Sequence, residues 1–531
     1  MVKITIIDGA RSIGGSKIHL QSGCTGLLLD FGINYNKWGL YYEEFVGPRT
    51  ARGINDPIRL RLLPYLGNLY REDIIPDDLY AGDYFRETKQ VDAVFVSHAH
   101  MDHCGHIGVL REDIPIYCSV MTAVIMKAMQ DVSGSEIFSE NVYLTKREKD
   151  DGGRLIKSPK NKVSAIGRKF FLFGEINEKL RCFWELSPWK SKSLISLPPQ
   201  IAGEVINDVP VKFFPLDHSI PGASGYAFET EEGWVIYTGD LRKHGKNRFL
   251  TEKFIEEASK LRPLALIIEG TRLSKEEKNE HSEEEVHDRC LEEVKKAEGK
   301  LVIADFSPRH LERLFTFLDI AKQTNRKLAV LMKDIYLLQA TETVQPTNVF
   351  EQEELCIFEQ LKASSPSAWE EKILKGFADR IIKIEDVQKN QGDYILCLSF
   401  YDINSMTDIT CEEGSIYIYS SSEAYEEEQD IDFWRLNNWL KFLGLKPIGF
   451  QVPEQSENAR KPKPYFPPGY HCSGHASKED LLHIVRCIRP KYLIPVHTEN
   501  PSPYLELKDI THIILEDEKN NDLEVIFSEN A

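Results

Sequence analysis

Ser97-His98-Ala99-His100-Met101-Asp102-His103-Cys104-Gly105-His106 is the stretch that decides the fold. Four metal-capable side chains fall within six residues, in the pattern H-x-H-x-D-H. The stretch follows an apolar run, residues 91–96, that reads as a buried strand. In extended backbone His98 and His100 point to the same side, so both can reach one ion. A turn after them brings Asp102 and His103 toward a second ion. Imidazole and carboxylate together suit Zn²⁺, with Mn²⁺ as a harder alternative. His106 falls outside the pattern and reads as a residue that supports the ligands or lies on the surface.

Further ligands stand at later strand ends. Asp217-His218 follows the strand candidate at residues 211–216, and Gly239-Asp240 follows the one at 234–237. A carboxylate such as Asp240 can bridge two ions. Upstream, residues 2–7 and 26–29 read as two short strands around a Gly-rich turn, the second ending in Asp30. Residues 33–90 carry many charges, Tyr and Pro without periodicity. From 146 to 169 there are nine Lys/Arg against three Asp/Glu, which reads as a basic loop or insertion. A contact with phosphate groups and a merely solvated loop are equally open.

Beyond residue 280 the character changes. Helical segments at 283–298, 308–323, 369–379 and 431–443 alternate with apolar strand candidates at 301–304, 328–331, 394–398 and 416–419. That alternation reads as a parallel sheet. The chain then returns to a helix at 481–488, a strand at 492–496, and short strands near Ile513 and Val525.

The succession of Asp30, the His98–His103 string, His218 and Asp240 resembles the four motifs of the metallo-β-lactamase fold. Leu266-Ile267-Ile268-Glu269-Gly270-Thr271, His471-Cys472-Ser473-Gly474-His475-Ala476 and Leu493-Ile494-Pro495-Val496-His497-Thr498 resemble the later motifs of the β-CASP nucleases, ribonuclease J and its relatives above all. The resemblance implies an α/β fold: a metallo-β-lactamase αββα sandwich with an inserted β-CASP α/β cap domain. The first domain would span 1–272, with an insertion near 130–200. The cap would span 273–464 and close over the metals as a narrow cleft, and 465–531 would complete the first domain.

The resemblance also implies roles. His98, His100 and His218 would hold one metal, and Asp102, His103 and His497 the other, with Asp240 bridging. Asp30 would orient the His loop. Asp102, Glu269 and His475 would be catalytic, with Glu269 pairing His475 beside the scissile phosphate. His471, Ser473 and Gly474 would bind substrate. The implied cofactors are two divalent ions, Zn²⁺ foremost, with Mn²⁺ or Mg²⁺ as alternatives. The implied reaction is RNA hydrolysis by metal-activated hydroxide, exo, endo or both, leaving 5′-phosphate and 3′-hydroxyl. A histidine at the position of His497 accompanies RNA substrates in this group. A DNA nuclease, another phosphodiesterase and a non-catalytic RNA-processing subunit are the competing expectations.

Composition bounds the rest. The 531 residues suggest two to four domains. No apolar run reaches the ~18 residues of a membrane helix. The start does not read as a signal peptide. Ten scattered Cys without a C-x-x-C pair suit a reducing cytoplasm. The formal net charge of −18 argues against a polyanionic partner in the far field. The positive residues gather near 146–169 and at Arg460, Lys461 and Lys463, before the candidate stacking residues Tyr465, Phe466 and Tyr470. Arg272, Arg309 and His310 are further candidates for contacting single-stranded RNA. Only 34 residues follow His497, which speaks against a separate C-terminal dimerisation domain and leaves monomer and homodimer both open.

Overall fold

The computed structural model describes residues 1–43, 45–85, 87–134, 136–159, 163–274, 281–307, 309–421, 433–453, 464–515 and 523–527. Lys160, Lys162, residues 426–428, Arg460, Lys461 and Lys463 lie outside them. The chain divides into two compact units. The first comprises Met1–Lys243, Asn247–Glu276 and His475–Ala531; the second comprises His244–Lys246 and Glu277–Gly474.

The first unit is built on two sheets. One has eight strands, in the order Gln200–Ile201, Phe170–Phe173, Ile116–Ser119, Ala93–Phe95, Thr25–Phe31, Lys17–Ser22, Val2–Asp8 and Leu523–Phe527. The other has seven: Val205–Ile206, Val209–Pro215, Ser224–Thr230, Gly233–Tyr237, Ala265–Glu269, Tyr492–Val496 and His512–Ile513. Their inner faces share one core. Ile4, Ile18, Leu27, Leu29 and Phe95 come from the first, and Tyr226, Phe228, Val235, Ile267 and Ile494 from the second. Phe95 packs edge-on against Tyr226 and Phe228, at centroid distances of 5.1 and 4.9 Å. Outside the second sheet, helices Arg248–Leu261 and Lys478–Ile488 cover Phe214, Leu216, Ile236, Leu266 and Ile268. Ser477 caps the second helix by accepting from the Asp480 amide at 3.1 Å. A sheet pair flanked by helices is the αββα sandwich.

Three segments differ from the sequence reading. The first 31 residues hold three strands, not two. Lys17–Ser22 pairs with Val2–Asp8 on one side and Thr25–Phe31 on the other. Its polar residues are buried with partners: Lys17 meets Asp8, and His19 Nε2 lies 2.7 Å from the Gln90 carbonyl. The basic segment is no simple loop. Ala165–Gly167 pairs with Tyr143–Leu144 and Leu194–Ile195, while Phe170–Phe173 extends the first sheet. Arg168 is buried and donates to the carbonyls of Glu140, Arg111, Gly108 and Leu110. Arg147 pairs with Glu140 at 3.0 Å. Finally, His106 is fully buried, packed against Phe31, Trp38 and Phe138.

The second unit carries an all-parallel seven-stranded sheet in the order Ile381–Ile382, Leu355–Phe358, Lys327–Val330, Tyr394–Cys397, Val302–Asp305, Ile416–Tyr419 and Lys446–Ile448. Its central strands are largely buried apolar runs, as in parallel sheets covered on both faces. No described helix is long and apolar enough to cross a membrane.

Candidate metal centre

The site residues of the first unit stand where strands end, since a strand terminus presents side chains to a loop edge without interrupting the core. Asp30 sits near the end of Thr25–Phe31, the His string follows Ala93–Phe95, and His218 and Asp240 follow Val209–Pro215 and Gly233–Tyr237. Glu269 closes Ala265–Glu269, and His497 follows Tyr492–Val496. The structure brings these residues together. Ligand atoms of His98, His100 and His218 lie within 4.8 Å of one another, as do those of Asp102, His103, Asp240 and His497. A third group joins His218, Asp240 and His475. All are buried.

The distances resemble ligand shells more than ordinary hydrogen bonds. His98 Nε2 and His218 Nε2 lie 3.1 and 3.2 Å from His100 Nδ1. Tetrahedral bonds of about 2.0–2.1 Å to nitrogen put neighbouring donor atoms about 3.3 Å apart. In the second group His497 Nε2 is 3.0 Å from Asp102 Oδ2, and His103 Nε2 is 3.0 Å from Asp240 Oδ2. Among the described residues, both Asp240 oxygens and His103 Nε2 are buried without a hydrogen-bond partner. Buried polar atoms left so are costly unless something binds them. A cation fits: the donor set is imidazole and carboxylate, and the orphaned atoms point into it.

Electrostatics agree. Burial opposes ionisation of Asp102 and Asp240, but His103 and His497 hold both carboxyls well below the usual range. Burial and the neighbouring His103 hold His98 well below its ordinary value, neutral and ready to ligate. Burial acts against protonating His103 and His497, yet the surrounding carboxylates raise both. The cluster draws positive charge, as protons or as a cation.

Partners behind the ligands fix their tautomers. The Asp30 carboxylate accepts from Ser97 N and Oγ at 2.7 Å, from His103 Nδ1 at 2.7 Å and from Tyr237 OH at 2.6 Å. A proton on His103 Nδ1 leaves Nε2 as the lone pair facing Asp102 and Asp240. Thr271 Oγ1 lies 2.9 Å from His497 Nδ1 and does the same there. Two glycines let the chain approach Asp102. A Cβ on Gly14 (φ 78°) would lie 3.0 Å from Asp102 Cβ, and one on Gly32 would lie 1.6 Å from its carbonyl oxygen. Ser97, Tyr237 and Thr271 were given no role from sequence, although Ser97 and Tyr237 lie within three residues of a motif ligand and Thr271 within two of Glu269.

Glu269 is buried, with Oε1 accepting from Leu241 N at 2.7 Å and Oε2 lying 2.8 Å from His475 Nδ1. Arg272 is buried too and donates to the His475 carbonyl at 3.3 Å, so it is not a solvent-facing substrate contact. His471, Ser473 and Gly474 belong to the second unit. His471 Nε2 lies 2.6 Å from the Gly449 carbonyl and Nδ1 3.2 Å from that of Ser421, and burial takes its pKa down to about 4. The Ser473 carbonyl lies 2.8 Å from His244 Nε2. His310 is buried 3.3 Å from Glu283. Tyr465 is exposed, whereas Phe466 packs into the second unit's core.

Two family models match the chain. The Beta-lactamase superfamily domain matches residues 79–151, which include the His string. The Zn-dependent metallo-hydrolase RNA specificity domain matches residues 470–502, which include His471, His475 and His497. Among individual proteins, the chain is 22% identical to a ribonuclease J of Pyrococcus abyssi over 94% of its own length and 90% of that protein. It is 20% identical to a ribonuclease J of Helicobacter pylori, over 94% of its length and 56% of that protein. Ribonuclease J2 of Bacillus subtilis is 24% identical over 80% of the chain and 61% of its own length. The chain thus spans little more than half of several of these relatives. A solved Enterococcus faecalis protein of unknown function shares the fold, with TM-score 0.64, 21% identity and coverage of 99% of this chain and 100% of that one.

Proposed function

We propose that this chain, a ribonuclease J-like protein of the metallo-β-lactamase and β-CASP type, is a metal-dependent ribonuclease. It hydrolyses phosphodiesters of single-stranded RNA to 5′-phosphate and 3′-hydroxyl ends. The observation that carries the reading is the convergence of six buried ligand side chains about the orphaned carboxylate of Asp240. His98, His100 and His218 would hold one divalent ion, and Asp102, His103 and His497 another, with Asp240 shared and Zn²⁺ foremost. Bound ions supply Lewis acidity and a nucleophile that exists at neutral pH.

The chain's own residues do the rest. Asp30 and Thr271 keep His103 and His497 in the ligating tautomer. Glu269, fixed by Leu241 N, holds the Nδ1 proton of His475. That leaves His475 Nε2 to carry the proton that the departing 3′ oxygen needs. Ser473 and Gly474 would meet a phosphate oxygen; for His471 to do so, one of its carbonyl contacts must be given up. The unpaired thiols of the exposed Cys24, Cys182 and Cys487 support a cytoplasmic location.

The test uses purified chain with Mn²⁺ or Zn²⁺, 5′-labelled single-stranded RNA and DNA of one sequence, and an Asp102→Ala/His103→Ala variant. RNA should be cut at least a thousandfold faster by the wild type than by the variant. Equal turnover sinks the metal mechanism, and cleavage of DNA alone sinks the RNA reading.

A further inference from the structure

A cavity of about 500 Å³ opens in the first unit beside the end of strand Val2–Asp8. It lies within the usual range for small-ligand sites, about 300–1,000 Å³. Its walls come largely from residues 37–66, whose irregular sequence the metal centre does not use. Among the described residues, Lys17, Lys37, Arg61 and Lys89 line it against Asp8 and Glu87, the last of which pairs with Lys89 at 3.3 Å. Four cations facing two carboxylates invert the sign of a chain whose net charge is −18.

The floor is held rigidly. Asp8 is buried and accepts from Lys17 Nζ at 3.3 Å, Lys37 Nζ at 2.9 Å and Asn34 Nδ2 at 2.9 Å. Its charge is therefore spent on partners already in place. Lys37 remains about half exposed and keeps donors for another anion. The rest of the lining is largely apolar and aromatic. Arg61 lies over the Tyr65 ring, 5.6 Å from its centroid, and Leu40 and Tyr41 stand exposed at the lip. A cationic floor with an aromatic lip suits a ligand that has both a phosphate and a planar apolar face.

We propose that this cavity is a nucleotide site, taking the phosphate of a nucleoside monophosphate unit on Lys37 and Arg61 and its base against Tyr41 and Tyr65. The same chemistry is offered by one nucleotide of an RNA strand and by a free mononucleotide. Floor and metal centre are neighbours in the chain. His497 N donates to the carbonyl of Gly9, next to Asp8, and Gly15 and Ser16, before Lys17, donate to the Asp102 carbonyl.

The experiment is calorimetric titration of the intact protein with AMP, with adenosine and with inorganic phosphate, repeated on Lys37→Glu, Lys37→Arg and Tyr41→Ala. AMP should bind more tightly than either fragment. Lys37→Glu and Tyr41→Ala should raise its Kd at least tenfold, while Lys37→Arg stays within about threefold. No AMP binding to the wild type at millimolar concentration, or equal Kd across the variants, overturns the proposal. Kinetics then separate the sources. For a strand subsite, AMP competes with a long RNA, and Lys37→Glu raises KM for that RNA but not for a trinucleotide. For a free nucleotide, AMP changes kcat without competing. The binding arm needs no hydrolysis, so failure of the ribonuclease reading and failure of this one are told apart.

Discussion

Asp30 takes a left-handed backbone conformation, φ 57°, at the end of a strand, and gathers the donors of Ser97, His103 and Tyr237 on one carboxylate. Asparagine would keep the shape and tolerate the backbone, but it offers only one acceptor oxygen. In Asp30→Asn the Nδ1 proton of His103 loses its carboxylate, and the ligating nitrogen loses basicity. Metal affinity should fall about 10–100-fold, read by competition with a chelator of known affinity. Tyr237→Phe, which removes one donor, should fall by less. Unchanged affinity in Asp30→Asn would show that the carboxylate serves packing alone. At this scale the sequence was most legible: H-x-H-x-D-H, His218, Asp240 and His497 are chemically distinctive, and the structure brings them together. His106 was not legible, because a histidine beside ligands looks the same whether it faces an ion or, as here, an aromatic core.

Four of the seven parallel strands of the second unit were legible as elements because burial on both faces makes them largely apolar runs, whereas Leu355–Phe358, Ile381–Ile382 and Lys446–Ile448 were not singled out. Lys17–Ser22 was not, because its polar Lys17 and His19 are buried, the first satisfied by Asp8 on the neighbouring strand and the second by the Gln90 carbonyl far along the chain. The two-residue strands between 143 and 201 are too short for any periodicity to register. Two carboxyls in the second unit carry a prediction. Asp305 ends strand Val302–Asp305, takes a hydrogen bond from Tyr417 OH, and is pushed up to about 7 by burial. Asp334, in the first turn of helix Met332–Glu342, is likewise pushed up to about 7 by burial. Asp402 raises both, while Lys333 and the Leu331 amide act the other way on Asp334. Unfolded, each titrates near 4. Between about pH 4 and 7 the native state binds the extra protons, so this contribution to stability is lost as pH rises through that window. Asp305→Asn/Asp334→Asn should therefore gain stability relative to wild type from pH 4 to pH 7, seen as a widening difference in denaturation midpoint. A difference that stays flat with pH contradicts it.

For the molecule as a whole, charge is distributed against its average. The net −18 repels polyanions at a distance, while the metal centre and the Lys37–Arg61 cavity attract them locally. Of the basic stretch, Arg147 and Arg168 are committed within the fold, leaving Lys149, Arg154, Lys157 and Lys169 exposed among the described residues. Non-specific affinity should be low. The protein should pass a phosphocellulose column at about 150 mM salt, where the screening length is about 8 Å. Binding of phosphorothioate RNA should have a shallow salt slope, equivalent to few phosphates, and be lost on chelation. Column retention, or binding indifferent to chelator, would refute that distribution.

His497 and Asp102 meet across a sequence separation of 395. The strand that carries His497 to the site, Tyr492–Val496, lies between Ala265–Glu269 and His512–Ile513 in its sheet. During synthesis the His98–His103 string emerges early, and its last partner emerges only after the whole second unit has been made. A growing chain therefore cannot complete the ligand set. The ribosome that makes it, and the message being read, are spared a competent centre until the second unit has been translated.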